Sequence, residues 1–216
     1  MTGTQAVDHC FKDAHPIHFP PGRIKIANAL KLLMEKKDFN AITISEIAKT
    51  AGVTDALIYK YFKDKRDLLH EVLREYLVVF VSQMKKETGK IRGTRKKLRK
   101  LIHIHFNLYS TNRVFAKILL LEVRNFPAYF ESSTYKLVKE YSNLVLDIIE
   151  QGVRKGEIRD DVSPRCIRQF ILGGIEHFVL PKIIFDLQMS EDAFTEDLCK
   201  LVFSGIESNE VTSKDE

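Results

Sequence analysis

The chain has 216 residues, of which 44% are hydrophobic and 29% are charged, so it is long enough to bury a core and too apolar to be disordered. Its formal net charge of +5 suits a polyanionic partner such as nucleic acid, although charge alone does not fix a fold. No apolar run reaches the roughly 18 residues that a membrane span needs, and the N-terminus lacks the charged and then apolar pattern of a signal peptide.

The three cysteines, Cys10, Cys166 and Cys199, lie far apart in sequence and have no CxxC or metal-ligand spacing. This distribution is typical of a reducing compartment. We therefore expect a cytoplasmic protein that does not contact a membrane, with neither a metal nor another cofactor.

Helix-breaking residues dominate the start of the chain, which carries Pro16, Pro20, Pro21 and Gly22. Residues 1–22 are therefore predicted to form an irregular arm. From Ile24 onward, apolar residues recur every three or four positions, as they do along one face of a helix. This periodicity predicts the first helix.

Three more helices are predicted next along the chain. Thr43 and Ser45 offer N-caps for a second helix, and Gly52 is expected to end it. Thr54 caps a short third helix. A long fourth helix is expected from Asp64 to about Lys86.

The rest of the chain continues with helical periodicity. Helices are expected at about residues 94–109, 112–124, 132–155, 164–180 and 190–206. Pro164 suits the first turn of its helix, whereas Pro181 is expected to disturb the end of the same helix. Because no alternating strand pattern occurs, the predicted fold class is all-α.

Residues 43–62, TISEIAKTAGVTDALIYKYF, have the pattern of two helices joined by a tight glycine turn. In a helix-turn-helix unit the second helix enters the major groove of DNA, and the first crosses the DNA backbone. Ile58 and Phe62 lie four residues apart and are expected to point inward. The residues left nearer the DNA side are Asp55, Leu57, Tyr59, Lys60 and Tyr61.

This stretch resembles the signature of the tetracycline-repressor (TetR) family. The positions that match the signature, or replace it conservatively, are Thr43, Ile44, Ile47, Ala48, Ala51, Gly52, Val53, Thr54, Ile58, Tyr59, Tyr61, Phe62, Lys65 and Leu68. The motif resemblance covers about residues 23–70, and the rest of the chain is similar to the family only in its helix pattern, including the segment EQGVRKGEIR. Asp38 and Ala56 depart from the family pattern, which usually has glycine at both positions.

The resemblance implies a ligand-responsive transcription regulator, most simply a repressor, with double-stranded operator DNA as its partner. The phosphate contacts that it implies are Thr43, Thr54, Tyr61 and Lys65. The candidates for contacts inside the DNA groove are Leu57, Tyr59 and Lys60. Phosphate contacts position such a protein on DNA, and only base contacts specify a sequence.

The resemblance also implies a division of the chain. Residues 23–70 would bind DNA, residues 71–207 would bind a ligand and form a homodimer, and residues 208–216 would be a tail. The last two long helices are expected to pair with their symmetry mates. The interface candidates on these helices are Phe170, Ile171, Gly173, Gly174, His177, Phe178, Phe194, Leu198, Leu201 and Val202. The alternative is that this stripe is core within one chain.

A ligand pocket is expected among the middle helices, with apolar and aromatic residues around a few polar groups. The candidate ligand contacts, chosen by helix face and residue type, are Phe106, Tyr109, Phe115, Tyr141 and Phe170. The helix pattern from LEVRNFP to the seventh predicted helix, at about residues 132–155, resembles that of fatty-acid-responsive members of the family. This likeness implies an acyl or acyl-CoA effector.

Three further features of the sequence could indicate other functions. The basic run Lys85–Lys100 favours a solvated face, because a helix of about 22 residues, roughly 33 Å, separates it from the helix-turn-helix. His103 and His105 lie on different helix faces, which argues against a metal site. Glu176 and His177 lack any accompanying nucleophile or phosphate-loop motif, so an enzyme is not expected. A helical interaction module that does not bind an operator is the main alternative, and an enzyme is the least favoured.

Overall fold

The computed structural model describes residues 19–188 and 190–207, and its helices confirm the predicted all-α fold class. In chain order the helices are α1 (Pro21–Lys36), α2 (Ile44–Ala51), α3 (Asp55–Tyr61), α4 (Lys65–Gly89), α5 (Thr94–Thr111), α6 (Arg113–Lys117), α7 (Ser133–Arg154), α8 (Pro164–Phe185) and α9 (Glu191–Ile206). A π-helical turn lies at Ile118–Glu122. Short 3-10 turns lie at Phe39–Ala41, Val123–Asn125 and Pro127–Glu131. The described residues contain one isolated bridge, between Ile158 and Glu207, and no strand. The predicted tail, residues 208–216, and most of the predicted arm lie outside the described residues.

Two proline positions differ from the sequence prediction. Helix α1 begins at Pro21, so the last two residues of the predicted arm are helical. Proline fits the first turn of a helix, where its missing N–H would have no partner in any case. The prediction for Pro181 was wrong, because α8 passes through it and ends at Phe185. Val179 and Ile183, on either side of Pro181, are buried, and their packing holds the helix together across the lost hydrogen bond.

The chain packs into two compact units that do not follow its linear order. The first unit contains the residues up to Val79 together with Asn112–Leu137. The second contains Phe80–Thr111 and the residues from Val138 onward. The functional division into residues 23–70 and 71–207 stays a prediction.

In the first unit, α1 packs against α2, α3 and α6. The buried residues that form this core include Ile26, Leu30, Met34, Phe39, Ile47, Ile58 and Phe62. The segment 112–137 joins it through polar and aromatic contacts. Lys117 Nζ lies 3.2 Å from Asp38 Oδ1, and the rings of Tyr76 and Phe115 lie 5.4 Å apart.

In the second unit, α5 packs against α8 and α9. One face of α5 carries Leu98, Leu101, Ile102 and His105, all of them buried. Buried residues recur every four positions along α8, from Ile167 to Ile183. This spacing places one apolar stripe of α8 in the core.

Candidate DNA-binding and effector sites

The turn between α2 and α3 depends on a glycine. Gly52 has φ +65°, in the left-handed region that residues with a side chain rarely adopt. The backbone N–H of Val53 donates to the carbonyl of Ala48 at 3.0 Å and so closes the end of α2. Across the turn, Ser45 Oγ donates to Asp55 Oδ2 at 2.8 Å. These contacts fix the angle between the two helices of the helix-turn-helix.

Both short helices carry the caps that the sequence predicts. Thr43 and Glu46 form a reciprocal capping box at the start of α2. The Lys37 ammonium, with the backbone N–H of Thr43, lowers the pKa of Glu46 to about 2. Thr54 accepts a hydrogen bond from the backbone N–H of Leu57, so its hydroxyl proton stays free to be donated to a phosphate oxygen.

The predicted DNA-contact residues divide by exposure. Thr43, Thr54, Tyr59 and Lys60 are exposed, and Tyr59 is 58% exposed despite its size. Leu57 and Tyr61 are half-buried. A Cβ built on Gly22 would lie 3.2 Å from Leu57 Cδ2 and 3.3 Å from Tyr61 Cε2, so glycine lets α1 approach α3 closely here. Leu57 and Tyr61 therefore also position α3 against the rest of the first unit.

Lys65, a predicted phosphate contact, already has protein partners. Its ammonium donates to the backbone carbonyls of Phe39 at 2.9 Å and Ile42 at 2.6 Å, and it lies 4.4 Å from the centre of the Phe39 ring. Burial lowers the pKa of Lys65 below its ordinary value. An ammonium has three N–H donors, so one is left for a DNA phosphate. Lys65 can join the start of α4 to the segment before α2 and still contact DNA.

The local structure accommodates Asp38 and Ala56, the two residues that depart from the family pattern. After Lys36 the chain turns extended, with φ −137° at Lys37, so no left-handed glycine is needed near Asp38. Asp38 instead pairs with Lys117. Ala56 is exposed in the first turn of α3, where its methyl group faces solvent.

The interior of the second unit contains a polar pair among aromatic rings. Tyr141 Oη and His105 Nδ1 form a hydrogen bond of 2.8 Å, and both residues are buried. The rings of Phe80 and Tyr109 lie 5.5 Å and 4.6 Å from that of His105. Burial lowers the pKa of His105 to about 3 and raises the pKa of Tyr141 well above its usual value, so both are neutral near pH 7.

His105 was missed as a candidate site residue. It lies four residues after Leu101 and four before Tyr109, on the apolar face of α5, and a histidine in that register needs a buried partner. The partner, Tyr141, is 36 residues away along the chain. Sequence periodicity can therefore locate the histidine but not the pair.

The five predicted ligand contacts do not form one cluster. Tyr109 and Tyr141 meet at His105, while Phe106 stacks on Phe194 with 4.1 Å between ring centres. Phe115 belongs to the first unit, against Tyr76. Phe170 is 60% exposed on α8. Its position suits a surface contact better than a pocket wall.

The predicted dimer stripe divides between core and surface. Phe194, Leu198 and Val202 are buried within one chain. Gly174 also faces inward, since a Cβ there would lie 3.3 Å from Leu198 Cδ1. The predicted interface residues that stay exposed on α8 and α9 are Phe170, Gly173, His177, Phe178 and Leu201. Phe178 and Leu201 line a groove of about 620 Å³ between these two helices.

Within residues 19–188 and 190–207, no three His, Cys, Asp or Glu side chains are grouped closely enough to hold a metal ion. The same residues include no helix that is long and apolar enough to span a membrane. Cys166 is exposed and Cys199 is buried, and both are free thiols.

Two family models match almost the whole described chain. Residues 26–72 match the bacterial regulatory proteins of the tetR family, and residues 73–205 match the C-terminal region of YsiA-like proteins, a TetR regulator domain. The chain belongs to the TetR family. It is therefore a DNA-binding transcription regulator that responds to a ligand, and α2 and α3 are the helix-turn-helix of this regulator.

Relatives of this TetR regulator align over nearly their full length. The fatty acid metabolism regulator protein of Bacillus subtilis is 28% identical over 186 residues, which is 86% of this chain and 96% of that protein. The crystal structure of FadR from Bacillus subtilis in complex with stearoyl-CoA has a TM-score of 0.77 at 28% identity, covering 85% of this chain and 99% of that one. FadR from Bacillus halodurans, a fatty acid degradation regulator, has a TM-score of 0.78 at 25% identity, covering 87% and 97%.

Proposed function

We propose that this regulator is a homodimeric repressor that binds a near-palindromic operator and leaves it when a long-chain acyl-CoA binds. The observation that carries the proposal is the near full-length similarity to a Bacillus subtilis regulator whose crystal structure contains stearoyl-CoA. The resemblance of the segment after α6 to fatty-acid-responsive members belongs to the same similarity.

The DNA face proposed for each protomer is the exposed side of α2 and α3. Tyr59 and Lys60 would reach base edges in the major groove, with Leu57 beside them. Thr43, Thr54, Tyr61 and Lys65 would contact phosphates, and the list is supported by the exposure of both threonines and by the third N–H of Lys65. One helix-turn-helix reads too few base pairs to select a single site, so two related by a two-fold axis are required.

The proposed dimer interface is the exposed face of α8 and α9. Phe178 and Leu201 are 46% and 65% exposed, and Phe170 is 60% exposed. Large apolar side chains grouped on one face are costly in water and typical of a protein interface. Gly173 has nothing within 4 Å of the position of a Cβ, so a partner helix can approach its backbone. The buried stripe behind this face would support it from within each chain.

The proposed effector site uses the interior of the second unit. An acyl chain needs apolar walls, for which buried Phe106 and its neighbours are the candidates, and a thioester carbonyl needs a donor in the same interior. The hydrogen-bonded pair of His105 and Tyr141 is the polar group that such a carbonyl could engage, with Tyr109 adjacent. Phe115, which belongs to the first unit, and Phe170, which is exposed on α8, stay predictions outside this proposed site.

Release would follow from a shift in population. A ligand that binds one arrangement of the dimer better than another moves the whole population toward that arrangement. Helix α4 carries residues of both units without interruption from Lys65 to Gly89, so it is the proposed mechanical connection.

The deciding experiment is a gel-shift titration at low salt with genomic fragments that flank the regulator's own gene. We expect specific binding, and release on addition of stearoyl-CoA but not of stearate or coenzyme A alone. Absence of any shift would favour the interaction module that does not bind an operator. A shift that stearoyl-CoA leaves unchanged would refute the acyl-CoA effector, and native mass spectrometry of protein purified from its own cells would then identify the ligand.

A further inference from the structure

A groove of about 740 Å³ lies between α5 and α9 in the second unit. We call it the α5–α9 groove. Its α5 wall carries Lys96, Arg99, Lys100 and His103, and Thr195 is part of its α9 wall. It is formed by the C-terminal end of the basic run, and neither the DNA face nor the dimer face includes these side chains.

The charges in the groove are only partly paired. Arg99 Nη2 lies 2.6 Å from Glu196 Oε2, and this ion pair lowers the pKa of Glu196. Asp192 adds a second carboxylate to the α9 wall. Lys96 and Lys100 lie four residues apart on one face of α5, and neither has an ion-pair partner in the part of the chain that the structure describes. Two ammonium groups are thus available to a bound anion.

Thr195 gives an independent reason to expect a ligand. It is only 4% exposed, and its hydroxyl oxygen is buried without a hydrogen-bond partner among the described residues. Two other helical threonines satisfy their hydroxyls by donating to the carbonyl four residues earlier: Thr88 to Met84 and Thr111 to Asn107, both at 2.7 Å. A buried hydroxyl needs a hydrogen-bond partner, and at the wall of a groove a bound molecule can supply it.

The groove is also apolar along much of its surface. Ile91 and Ala193 line it, and the long aliphatic stems of Lys96 and Lys100 can cover an apolar group while their ammonium groups stay at the edge. A small inorganic anion would leave most of these walls in contact with water. The walls fit a ligand that has an apolar or aromatic body beside its anionic group.

We propose that the α5–α9 groove binds a phosphorylated small molecule with an apolar or aromatic body, in which the phosphate meets Lys96 and Lys100 and a polar atom of the ligand meets the Thr195 hydroxyl. Phosphate suits this set because its oxygens accept several charge-assisted hydrogen bonds at once. The phosphorylated adenosine end of an acyl-CoA and a free adenosine nucleotide share this chemistry. The proposal rests on the proposed function only if the ligand is an acyl-CoA, and a free adenosine nucleotide would not require that function.

The test is calorimetric titration of the full chain at low salt with three probes: adenosine 3′,5′-bisphosphate, coenzyme A and inorganic phosphate. We expect the first two to bind and to compete, and inorganic phosphate to bind at least tenfold more weakly. Lys96→Gln combined with Lys100→Gln should lower the affinity for the bisphosphate at least tenfold. The matched control, Lys86→Gln with Lys90→Gln, removes two cations of the same basic run outside the groove and should bind like the parent chain.

Thr195→Val separates ligand binding from structure. Valine has the shape of threonine without its hydroxyl, so it should weaken bisphosphate binding about tenfold without lowering the unfolding midpoint. Unchanged affinity in both groove variants, an equal loss in the control, or inorganic phosphate binding as tightly as the bisphosphate would overturn the proposal.

The two proposals fail separately. If stearoyl-CoA releases the operator while the groove variants bind coenzyme A like the parent chain, this inference is wrong and the proposed function stands. If the groove binds the bisphosphate while stearoyl-CoA leaves the operator complex intact, the groove serves a free nucleotide and the proposed effector is wrong.

Discussion

The carboxylate of Glu157 accepts a hydrogen bond from the backbone N–H of Thr94, with 2.7 Å between Oε2 and nitrogen. The first N–H groups of a helix have no partner within it, and this contact satisfies one at the start of α5. Gly156, at φ +70°, turns the chain after α7 so that Glu157 can reach Thr94. The segment EQGVRKGEIR, noted as a family feature, thus holds two helices of the second unit together.

Gly152→Ala should destabilise the protein. A Cβ at this position would lie 2.7 Å from Thr94 Cγ2 and 2.8 Å from Ile158 Cδ1, closer than side chains tolerate. Overpacking of this kind typically costs about 1–3 kcal/mol, measurable as a loss in the free energy of unfolding in urea. Gly89→Ala is the matched control, because nothing lies within 4 Å of its Cβ position. Equal stability of both variants would mean that α7 can shift to relieve the contact.

Acid should destabilise the protein through His105. Its pKa is about 3 when folded and about 6.5 in an unfolded chain, so between these values only the unfolded chain takes up the proton. Stability from this group is present above pH 6.5 and falls as the pH decreases toward 3, by about 2 kcal/mol between pH 7 and 5. His105→Gln should flatten the pH dependence of the free energy of unfolding, whereas His177→Gln, at an exposed position, should not. Parallel pH curves for both variants would contradict the prediction.

Lys65→Ala should change both stability and DNA binding. Loss of the ammonium leaves the carbonyls of Phe39 and Ile42 without their donor, which costs about 1–3 kcal/mol. If Lys65 also holds a phosphate, the slope of log affinity against log salt becomes shallower by roughly 1. Lys86→Ala is the control for a general charge effect. A loss of stability with an unchanged slope would make Lys65 a purely structural residue.

Leu201→Glu should weaken the dimer. A charge in the centre of an apolar interface costs about 2 kcal/mol or more, so sedimentation should show monomer and operator binding should fall. Leu32→Glu, at a 52% exposed position of α1, is the control and should stay dimeric. Gly174→Phe is unsuitable, because it would strike Leu198 of its own chain first. A dimeric Leu201→Glu would place the interface elsewhere.

Effector and operator should weaken each other equally. If stearoyl-CoA lowers operator affinity 100-fold, which is a coupling of about 2.7 kcal/mol, the operator must lower stearoyl-CoA affinity by the same factor. Titration of stearoyl-CoA with and without saturating operator measures this directly. Equal affinities in the two titrations would mean that the ligand does not regulate DNA binding.

Features decided by a few neighbouring residues could be predicted from the sequence. The caps at Thr43 and Thr54 and the turn at Gly52 follow from local rules on hydrogen bonding and backbone conformation, and all three are confirmed. The all-α class of the described residues follows from helical periodicity, which is also a local feature of the sequence.

Features decided by distant residues could not be predicted. Nothing near Lys65 in the sequence indicates that its ammonium donates hydrogen bonds to the carbonyls 26 and 23 residues earlier. The hydrophobic stripe of α9 looks continuous, yet Leu198 is core and Leu201 is exposed, because the position of α8 decides which side is covered. Phe115 was predicted to lie with Tyr109 and Tyr141, but tertiary packing places it in the first unit and the two tyrosines in the second.

That placement has a consequence for protein engineering. The simplest design for a hybrid regulator exchanges all residues after the helix-turn-helix at a single junction. Here such an exchange would put a foreign segment in the place of 112–137, against α1, and would lose the pair of Lys117 with Asp38. A hybrid that keeps the first unit intact therefore needs three junctions, after Val79, Thr111 and Leu137, so that the segment 112–137 stays with the helix-turn-helix.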